Sequence, residues 1–218
     1  MFVGHMAVAL VAKTRAPRVS LGTFVASAFA LDLLWPVFLL LGIEQVRIDP
    51  GNTKFTPLAF DCYPWSHSLV MAIGWGVAGS ILVRWRKGDS QSQLLVFALV
   101  VSHWVLDLVS HRPDLPLWPG NSPRFGLGLW NSVPGTLALE GMMFLFGVWF
   151  YLRRTTRRDS IGIAGFWLLI LFSTFVWVCQ PWSPPPPNPR FLAWFGLGSW
   201  LLPIWAAWVD HHRIAQSI

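Results

Sequence analysis

The 218-residue chain has little charge and little cysteine. Only 12% of its residues are charged, roughly half the share of soluble domains, whereas 54% are hydrophobic. Its two cysteines, Cys62 and Cys179, exclude a disulfide framework and a cysteine-type zinc site. Residues 1–12 contain neither a basic n-region nor a small-residue cleavage site, so we expect no cleavable signal peptide. The composition therefore favours one integral membrane domain over residues 1–218.

The apolar runs of the chain predict an all-α, polytopic membrane helix bundle. We expect six transmembrane helices plus an N-terminal half-helix, which is too short to span. The half-helix covers residues 1–12, and the spans cover 19–43, 66–85, 93–111, 134–152, 161–179 and 191–209. Pro36 should kink the first span beside Asp32, since proline removes a helical hydrogen bond.

The basic residues divide unevenly between two sets of loops. Eleven fall in one set: Lys13, Arg15, Arg18, Arg84, Arg86, Lys87, Arg153, Arg154, Arg157, Arg158 and Arg213. Five fall in the other: Arg47, Lys54, Arg112, Arg124 and Arg190. The positive-inside rule places the first set, with the basic residues of both tails, in the cytoplasm. The net charge of +6 is thus a topology signal, and no nucleic-acid partner is expected.

One apolar run carries ionisable residues at helical spacing. His103, Asp107 and His111 stand at i, i+4 and i+8, so they lie on one stripe of a helix. Such groups inside a membrane are costly without a partner and mark a functional site. A divalent metal is the most economical partner, because imidazole and carboxylate are its ordinary ligands. The alternative is an intrahelical hydrogen bond between His103 and Asp107.

The predicted topology brings further ionisable residues to a similar depth in the membrane. At about 1.5 Å of rise per residue, they fall in or just below its outer half. The set comprises His5, Asp32, His67, His103, Asp107, His111 and Glu140. The spans contain almost no lysine or arginine to pair its carboxylates, so we expect one or more divalent cations there. Packed histidines and a protonated Glu140 carboxyl remain the alternatives.

Several segments within about the first 120 residues form an ordered set of motifs. They are Gly4-His5-Met6, Leu31-Asp32-Leu33-Leu34-Trp35-Pro36, Trp65-Ser66-His67-Ser68-Leu69, and Ser102-His103 with Asp107 and Leu117-Trp118-Pro119. Together they resemble the YdjM-like family, inner-membrane proteins described as metal-dependent hydrolases. The chain departs from that family at Leu34 and Trp35, where the family has further acidic and histidine residues, and at Cys62-Tyr63, where it has His-Arg. These departures suggest fewer metal ions than in typical members, or the use of Asp61 and Glu140 as replacement residues.

A more remote resemblance concerns the order of the candidate ligands. The order His, Asp, His, His-x3-Asp, Glu is similar to that of zinc-dependent phospholipase C and S1/P1 nucleases. Those are all-helical enzymes with a trinuclear zinc site, and the resemblance implies phosphoester hydrolysis.

The leading hypothesis is a metal-dependent hydrolase embedded in a bacterial inner membrane, with its site in the outer half of the bilayer. Zinc, or else manganese or magnesium, is the expected metal, and the number of ions stays open. The expected ligands are His5, Asp32, His67, His103, Asp107 and Glu140. Asp61 or His111 is the expected general base or orienting residue. Arg112 and Arg124 are expected to bind the phosphate of a membrane lipid or lipid-linked substrate.

Two other functions stay open on the sequence. One is a cation- or proton-coupled carrier, which would bind its ion with the same residues. It lacks the paired repeat expected of carriers and a polar path from the site to the cytoplasm. The other is a non-catalytic membrane scaffold. The oligomeric state and a disulfide between Cys62 and Cys179 also stay open.

Overall fold

The computed structural model describes residues 1–86 and 88–215, so Lys87, one of the basic loop residues, lies outside it. The structure is 67% helix and 9% strand, which confirms a mostly helical protein. The helices are α1 (Val3–Arg15), α2 (Leu21–Ala28), α3 (Ala30–Leu40), α4 (Pro64–His67), α5 (Leu69–Trp85), α6 (Ser90–Ser110), α7 (Val133–Arg154), α8 (Ile161–Cys179), α9 (Pro189–Gly196) and α10 (Leu201–His211).

Short antiparallel strand pairs close the loops between these helices. The pairs are β1 (Gln45–Ile48) with β2 (Leu58–Cys62), β3 (Leu115–Pro116) with β4 (Arg124–Phe125), and β5 (Thr155–Arg157) with β6 (Arg213–Ala215). Each pair satisfies backbone groups that a loop would otherwise leave without partners.

Several helices are long and apolar enough to cross a membrane. Within the described residues four meet this condition: Ser90–Ser110, Val133–Arg154, Ile161–Trp182 and Pro189–His211. In the last two, the 3-10 segments Gln180–Trp182 and Leu197–Trp200 extend α8 and join α9 to α10. The bent pair of α2 and α3 makes a fifth if it counts as one span, whereas α5, with 17 residues, is shorter. Four predicted spans are therefore confirmed as spanning-length helices, but the total of six is not.

The first predicted span breaks at a residue that the sequence did not single out. Phe29 separates α2 from α3, and the axes of these two helices differ by 59°. Pro36, where we expected the kink, lies inside α3 and packs closely against Gly196 of α9. The prediction of the kink was thus wrong in position, because the backbone turns before Asp32 rather than after it.

The N-terminal helix α1 lies inside the bundle, as expected of a half-helix. Val3, Met6 and Leu10 are fully buried in the hydrophobic core. Helix α7 approaches α1 closely at Gly147, where a Cβ atom would lie 2.8 Å from the Cα of Ala7. This glycine lets α7 support the helix that carries His5.

The loops meet at two ends of the bundle, and these ends correspond to the two sets of basic residues. At the first, the site end, residues 41–68, 111–132 and 180–189 come together; Phe55 N donates to Trp130 O at 3.0 Å. At the second, the basic end, residues 13–20, 84–86, 88–90, 154–160 and 210–215 come together; Arg158 N donates to His212 O at 2.9 Å.

Candidate metal centre

Side chains from α1, α3, α4 and α6 meet beside a cavity of about 150 Å³ at the site end. Two overlapping groups each bring three possible ligand atoms within 4.8 Å of one another. The first consists of His5, His103 and Asp107, and the second of Asp32, His67 and His103. The structure therefore brings together five of the six predicted ligands, and all but Asp32 are buried.

In Asp32, His67, His103 and Asp107, each carboxylate lies near both imidazoles, although the two carboxylates fall in different groups. Asp32 Oδ1 lies 3.4 Å from His67 Nε2 and 3.7 Å from His103 Nε2. Asp107 Oδ2 lies 3.9 Å from His67 Nε2 and 3.1 Å from His103 Nε2. Tetrahedral zinc with bonds of about 2.0–2.2 Å separates its ligand atoms by about 3.3–3.6 Å. His67 and His103 with Asp32 already form one such group, and Asp107 could become the fourth ligand if the two carboxylates moved toward a common ion.

His103 points a free nitrogen at this position. Its Nδ1 lies 2.7 Å from the carbonyl oxygen of Ala28, which can only accept, so Nδ1 carries the proton. Ala28 is the last residue of α2, and a carbonyl at a helix end is open to such a partner. The Nε2 atom is buried and forms no hydrogen bond, although Asp107 Oδ2 is 3.1 Å away.

His67 is held by two residues that the sequence did not indicate as functional. Its Nδ1 lies 2.7 Å from Ser66 Oγ, and Ser66 donates from both its N–H and its hydroxyl to the carboxylate of Glu44. Burial raises the pKa of Glu44 above its ordinary value, and the two hydrogen bonds from Ser66 limit that rise. No helical or strand spacing connects Glu44 to His67, so the sequence carried no signal for this contact.

His111 faces the same centre from the loop after α6. Helix α6 ends at Ser110, so His111 does not continue the helical stripe as expected. Its Nε2 lies 3.9 Å from Asp107 Oδ2, and its Nδ1 lies 2.9 Å from Asp114 Oδ1. Tyr63 also donates to that carboxylate, at 2.9 Å. Burial and the negative charge of Asp114 raise the pKa of Tyr63 well above its ordinary value, so Tyr63 keeps its proton.

Glu140 lies near the centre but contacts the backbone of α1. Its Oε2 accepts from the N–H groups of Phe2, at 2.9 Å, and Gly4, at 3.4 Å, so it caps the start of α1. The structure does not bring Glu140 into either ligand group. The amino group of Met1 contacts Asp107, and His5 Nε2 lies 3.2 Å from the same carboxylate.

Three other predicted site residues lie outside the cavity. The Asp61 carboxylate on β2 pairs with Arg47 at 2.6 Å, and Arg124 donates to the Asp61 carbonyl at 3.1 Å. Arg112 donates to the outer oxygen of Asp114 at 3.3 Å. Neither predicted phosphate-binding arginine lines the cavity, and neither does Asp61.

The two cysteines are free thiols, with Cys62 exposed and Cys179 half-buried.

No protein-family model, no curated protein and no solved structure matches the chain. The resemblance to the YdjM-like family therefore stays a prediction from sequence motifs, and the site is interpreted from its own geometry.

Proposed function

We propose that this protein is a membrane-embedded, metal-dependent hydrolase that cleaves a phosphoester of a membrane lipid or lipid-linked compound. One observation carries the proposal: the buried, unbonded Nε2 of His103 faces oxygens of Asp32 and Asp107 at 3.7 and 3.1 Å. A nitrogen lone pair that close to two carboxylates is unfavourable unless a cation lies among them. Among the described residues no lysine or arginine side chain contacts these carboxylates, and the amino group of Met1 contacts Asp107 but not Asp32.

Zinc fits this set of ligand atoms best. Two imidazole nitrogens and two carboxylate oxygens suit tetrahedral zinc, whereas magnesium and calcium prefer oxygen ligands alone. When bound, such an ion lowers the pKa of water toward neutrality and polarises a phosphoryl or acyl oxygen.

The base in this proposal is His111. Asp114 holds the proton on Nδ1, so the free Nε2 points to the cavity and can accept a proton from water. The ring packs between Phe60 and Trp130, with centroids 4.9 and 4.3 Å away, which fixes its orientation. Asp61, the other candidate base, lies at the surface, where it forms an ion pair with Arg47.

The cavity suits a small reacting group that is attached to an apolar part of the substrate. Its walls include Phe2, Trp35, Phe55, Phe60 and Trp130, and no lysine or arginine of the described residues lines it. The cavity of about 150 Å³ is open to the outside, and it would take the phosphate end of such a substrate. The chains of a lipid substrate would remain outside, in the bilayer.

The orientation belongs to the same proposal. The basic end carries most of the loop lysines and arginines, so it faces the cytoplasm and the metal centre faces outward. The resemblance to the YdjM-like family supports a bacterial inner membrane, and the resemblance to zinc-dependent phospholipase C supports a phosphoester substrate.

Metal content and hydrolysis, measured on the same samples, test the proposal. The wild type should purify with, or take up, about one zinc per chain, and the His103→Ala, Asp107→Ala double variant should take up none. The matched control is His212→Ala with Asp159→Ala, which removes a His–Asp pair of 2.7 Å at the basic end. Phospholipids and lipid-linked phosphates are then assayed with and without chelator. A wild type that stays metal-free after reconstitution contradicts the proposal and directs attention to transport.

A further inference from the structure

We infer that Glu44 and Ser66 are positioning residues that determine which nitrogen of His67 carries the proton, so that Nε2 faces the metal centre as a free lone pair. The inference rests on the proposed function, because it assigns His67 as a ligand. Glu44 follows α3 and precedes β1, whereas Ser66 lies in α4 beside His67. All three side chains are buried, with exposed fractions of 2%, 0% and 3%.

The hydrogen bonds of Ser66 determine where its single hydroxyl proton lies. Ser66 N donates to Glu44 Oε1 at 2.7 Å, and Ser66 Oγ donates to Glu44 Oε2 at 2.7 Å. The other acceptor within reach of that hydroxyl is the carbonyl oxygen of Tyr63, at 3.4 Å. A carboxylate and a carbonyl can only accept, so the hydroxyl proton points away from His67 in both cases.

The proton of His67 follows from this arrangement. His67 Nδ1 lies 2.7 Å from Ser66 Oγ, and only a proton on Nδ1 makes this contact a hydrogen bond. The Nε2 atom is then a lone pair, and it faces Asp32 Oδ1 at 3.4 Å. Glu44 thus acts on the metal centre through two hydrogen bonds in series, as carboxylates behind ligand histidines do in other metal sites.

Glutamine at position 44 should reverse this chain of hydrogen bonds without changing its shape. In this variant the amide oxygen of Gln accepts from Ser66 N–H, as the carboxylate did. The amide NH₂ group then donates to Ser66 Oγ, so the hydroxyl oxygen accepts this hydrogen bond. Its proton then points to His67 Nδ1, and His67 carries its own proton on Nε2, toward the ion. Because a protonated nitrogen cannot bind metal, Glu44→Gln should weaken zinc binding by about 10–100-fold.

The matched control is Asp61→Asn. Asp61 and Glu44 line the same surface cavity of about 680 Å³, but Asp61 bonds to Arg47 rather than to Ser66. Zinc affinity is measured by competition with a chromophoric chelator, and cobalt-substituted protein reports ligand geometry by its visible spectrum. Asp61→Asn should match the wild type in both measurements.

A double-mutant cycle separates positioning from a structural role. In a Ser66→Ala background Glu44 has no route to His67, so adding Glu44→Gln should not weaken zinc binding further. The Ser66 N–H bond to Glu44 survives in that background, so a purely structural role would still show an effect. An effect of Glu44→Gln that persists with Ser66→Ala, or zinc affinity unchanged by Glu44→Gln alone, overturns the inference. Circular dichroism in detergent confirms that each variant is folded.

A second measurement works on metal-free protein. The ¹⁵N chemical shift of His67 Nε2 should be that of an unprotonated nitrogen in the wild type and of a protonated one in Glu44→Gln. If the wild type binds no zinc, the proposed function fails, and this shift still decides whether Glu44 sets the tautomer. An unchanged shift in Glu44→Gln contradicts the inference even when zinc binding by the wild type is confirmed.

Discussion

The two ends of the bundle both bury charged side chains, but they neutralise them in different ways. At the basic end the protein supplies every partner. Lys13 is 5% exposed, and its ammonium group donates to the carboxylate of Asp210 at 2.8 Å. It also donates to the carbonyl oxygens of Pro17 and Val19, each at 2.9 Å, so all three of its donors are used.

Arg213 shows the same pattern at that end. Its guanidinium group donates to Thr155 and to the Gly162 carbonyl, at 2.8 to 3.3 Å. The rings of Tyr151 and Phe166 cover it, with centroids 5.3 and 5.0 Å from the guanidinium carbon. The interaction holds β6 and the end of α10 against α7 and α8, so these charges stabilise the fold.

At the site end the amino group of Met1 contacts Asp107, but the ring nitrogens that converge on this carboxylate are acceptors. Nε2 atoms of His67, His103 and His111 lie 3.1 to 3.9 Å from Asp107 Oδ2. The Nδ1 protons of these histidines are held by Ser66, a carbonyl and Asp114, away from the centre. The comparison teaches that identical burial serves two purposes: a satisfied charge fixes the fold, and a set of converging acceptors is arranged for a cation.

The largest expected effect is the loss of stability that follows removal of a buried charge at the basic end. Lys13→Met leaves the half-buried Asp210 without its partner beside carbonyl oxygens, so the free energy of unfolding should fall by about 3 kcal/mol. Thermal denaturation in detergent measures this, with the exposed Lys54→Met as the control. A variant that melts with the control would show that this buried pair does not stabilise the bundle.

The next effect concerns stabilisation by metal at the site end. Zinc at 100 times its Kd should stabilise the wild type by about 2.7 kcal/mol, because it binds only the folded state. Asp107→Asn should lose that gain, since it replaces a carboxylate oxygen by an NH₂ group and removes the negative charge on which the three histidines converge. Asp159→Asn, whose carboxylate pairs with His212 at the basic end, should retain it. Equal stabilisation of both variants by zinc would place the ion elsewhere.

A smaller and more specific effect is expected behind His111. Asp114→Asn should lower kcat by about 100-fold and leave zinc content unchanged, because asparagine can turn an N–H toward His111 Nδ1 and reverse its tautomer. Arg112→Gln, which removes the Arg112 hydrogen bond to Asp114 and leaves those of His111 and Tyr63, should have little effect on kcat. A loss of zinc in Asp114→Asn would instead identify His111 as a ligand.

Most of the fold and part of the centre could be predicted from the sequence. The lengths of the apolar runs were sufficient to predict the helices, and the i, i+4 spacing was sufficient to predict that His103 and Asp107 share a helix face. Both predictions depend only on local geometry. The break at Phe29 had no proline to mark it, and it opens the Ala28 carbonyl that orients His103. Such contacts form between distant segments, and no sequence period reports them.

The contacts behind the histidines were hidden for the same reason. Glu44 and Ser66 are 22 residues apart and meet only because the antiparallel β1–β2 hairpin between them brings the chain back. Asp114 is three residues from His111, a spacing that sequence analysis could have considered, but the chain there is a loop rather than a helix. The expected depth of Glu140 in the membrane placed it near the centre but did not indicate that it caps α1.

Cysteine labelling, which perturbs the protein least, tests which end of the bundle faces the cytoplasm. Cys62 is an exposed free thiol at the site end, and its neighbours Asp61 and Tyr63 are engaged elsewhere. In intact bacterial cells a membrane-impermeant maleimide should label Cys62 if the site end faces outward. Ser160→Cys, at the exposed start of α8 on the basic end, should label only after permeabilisation when both native cysteines are replaced by serine. The reverse labelling pattern would contradict the proposed topology and show that the metal centre faces the cytoplasm. The substrate to assay would then be a lipid of the inner leaflet.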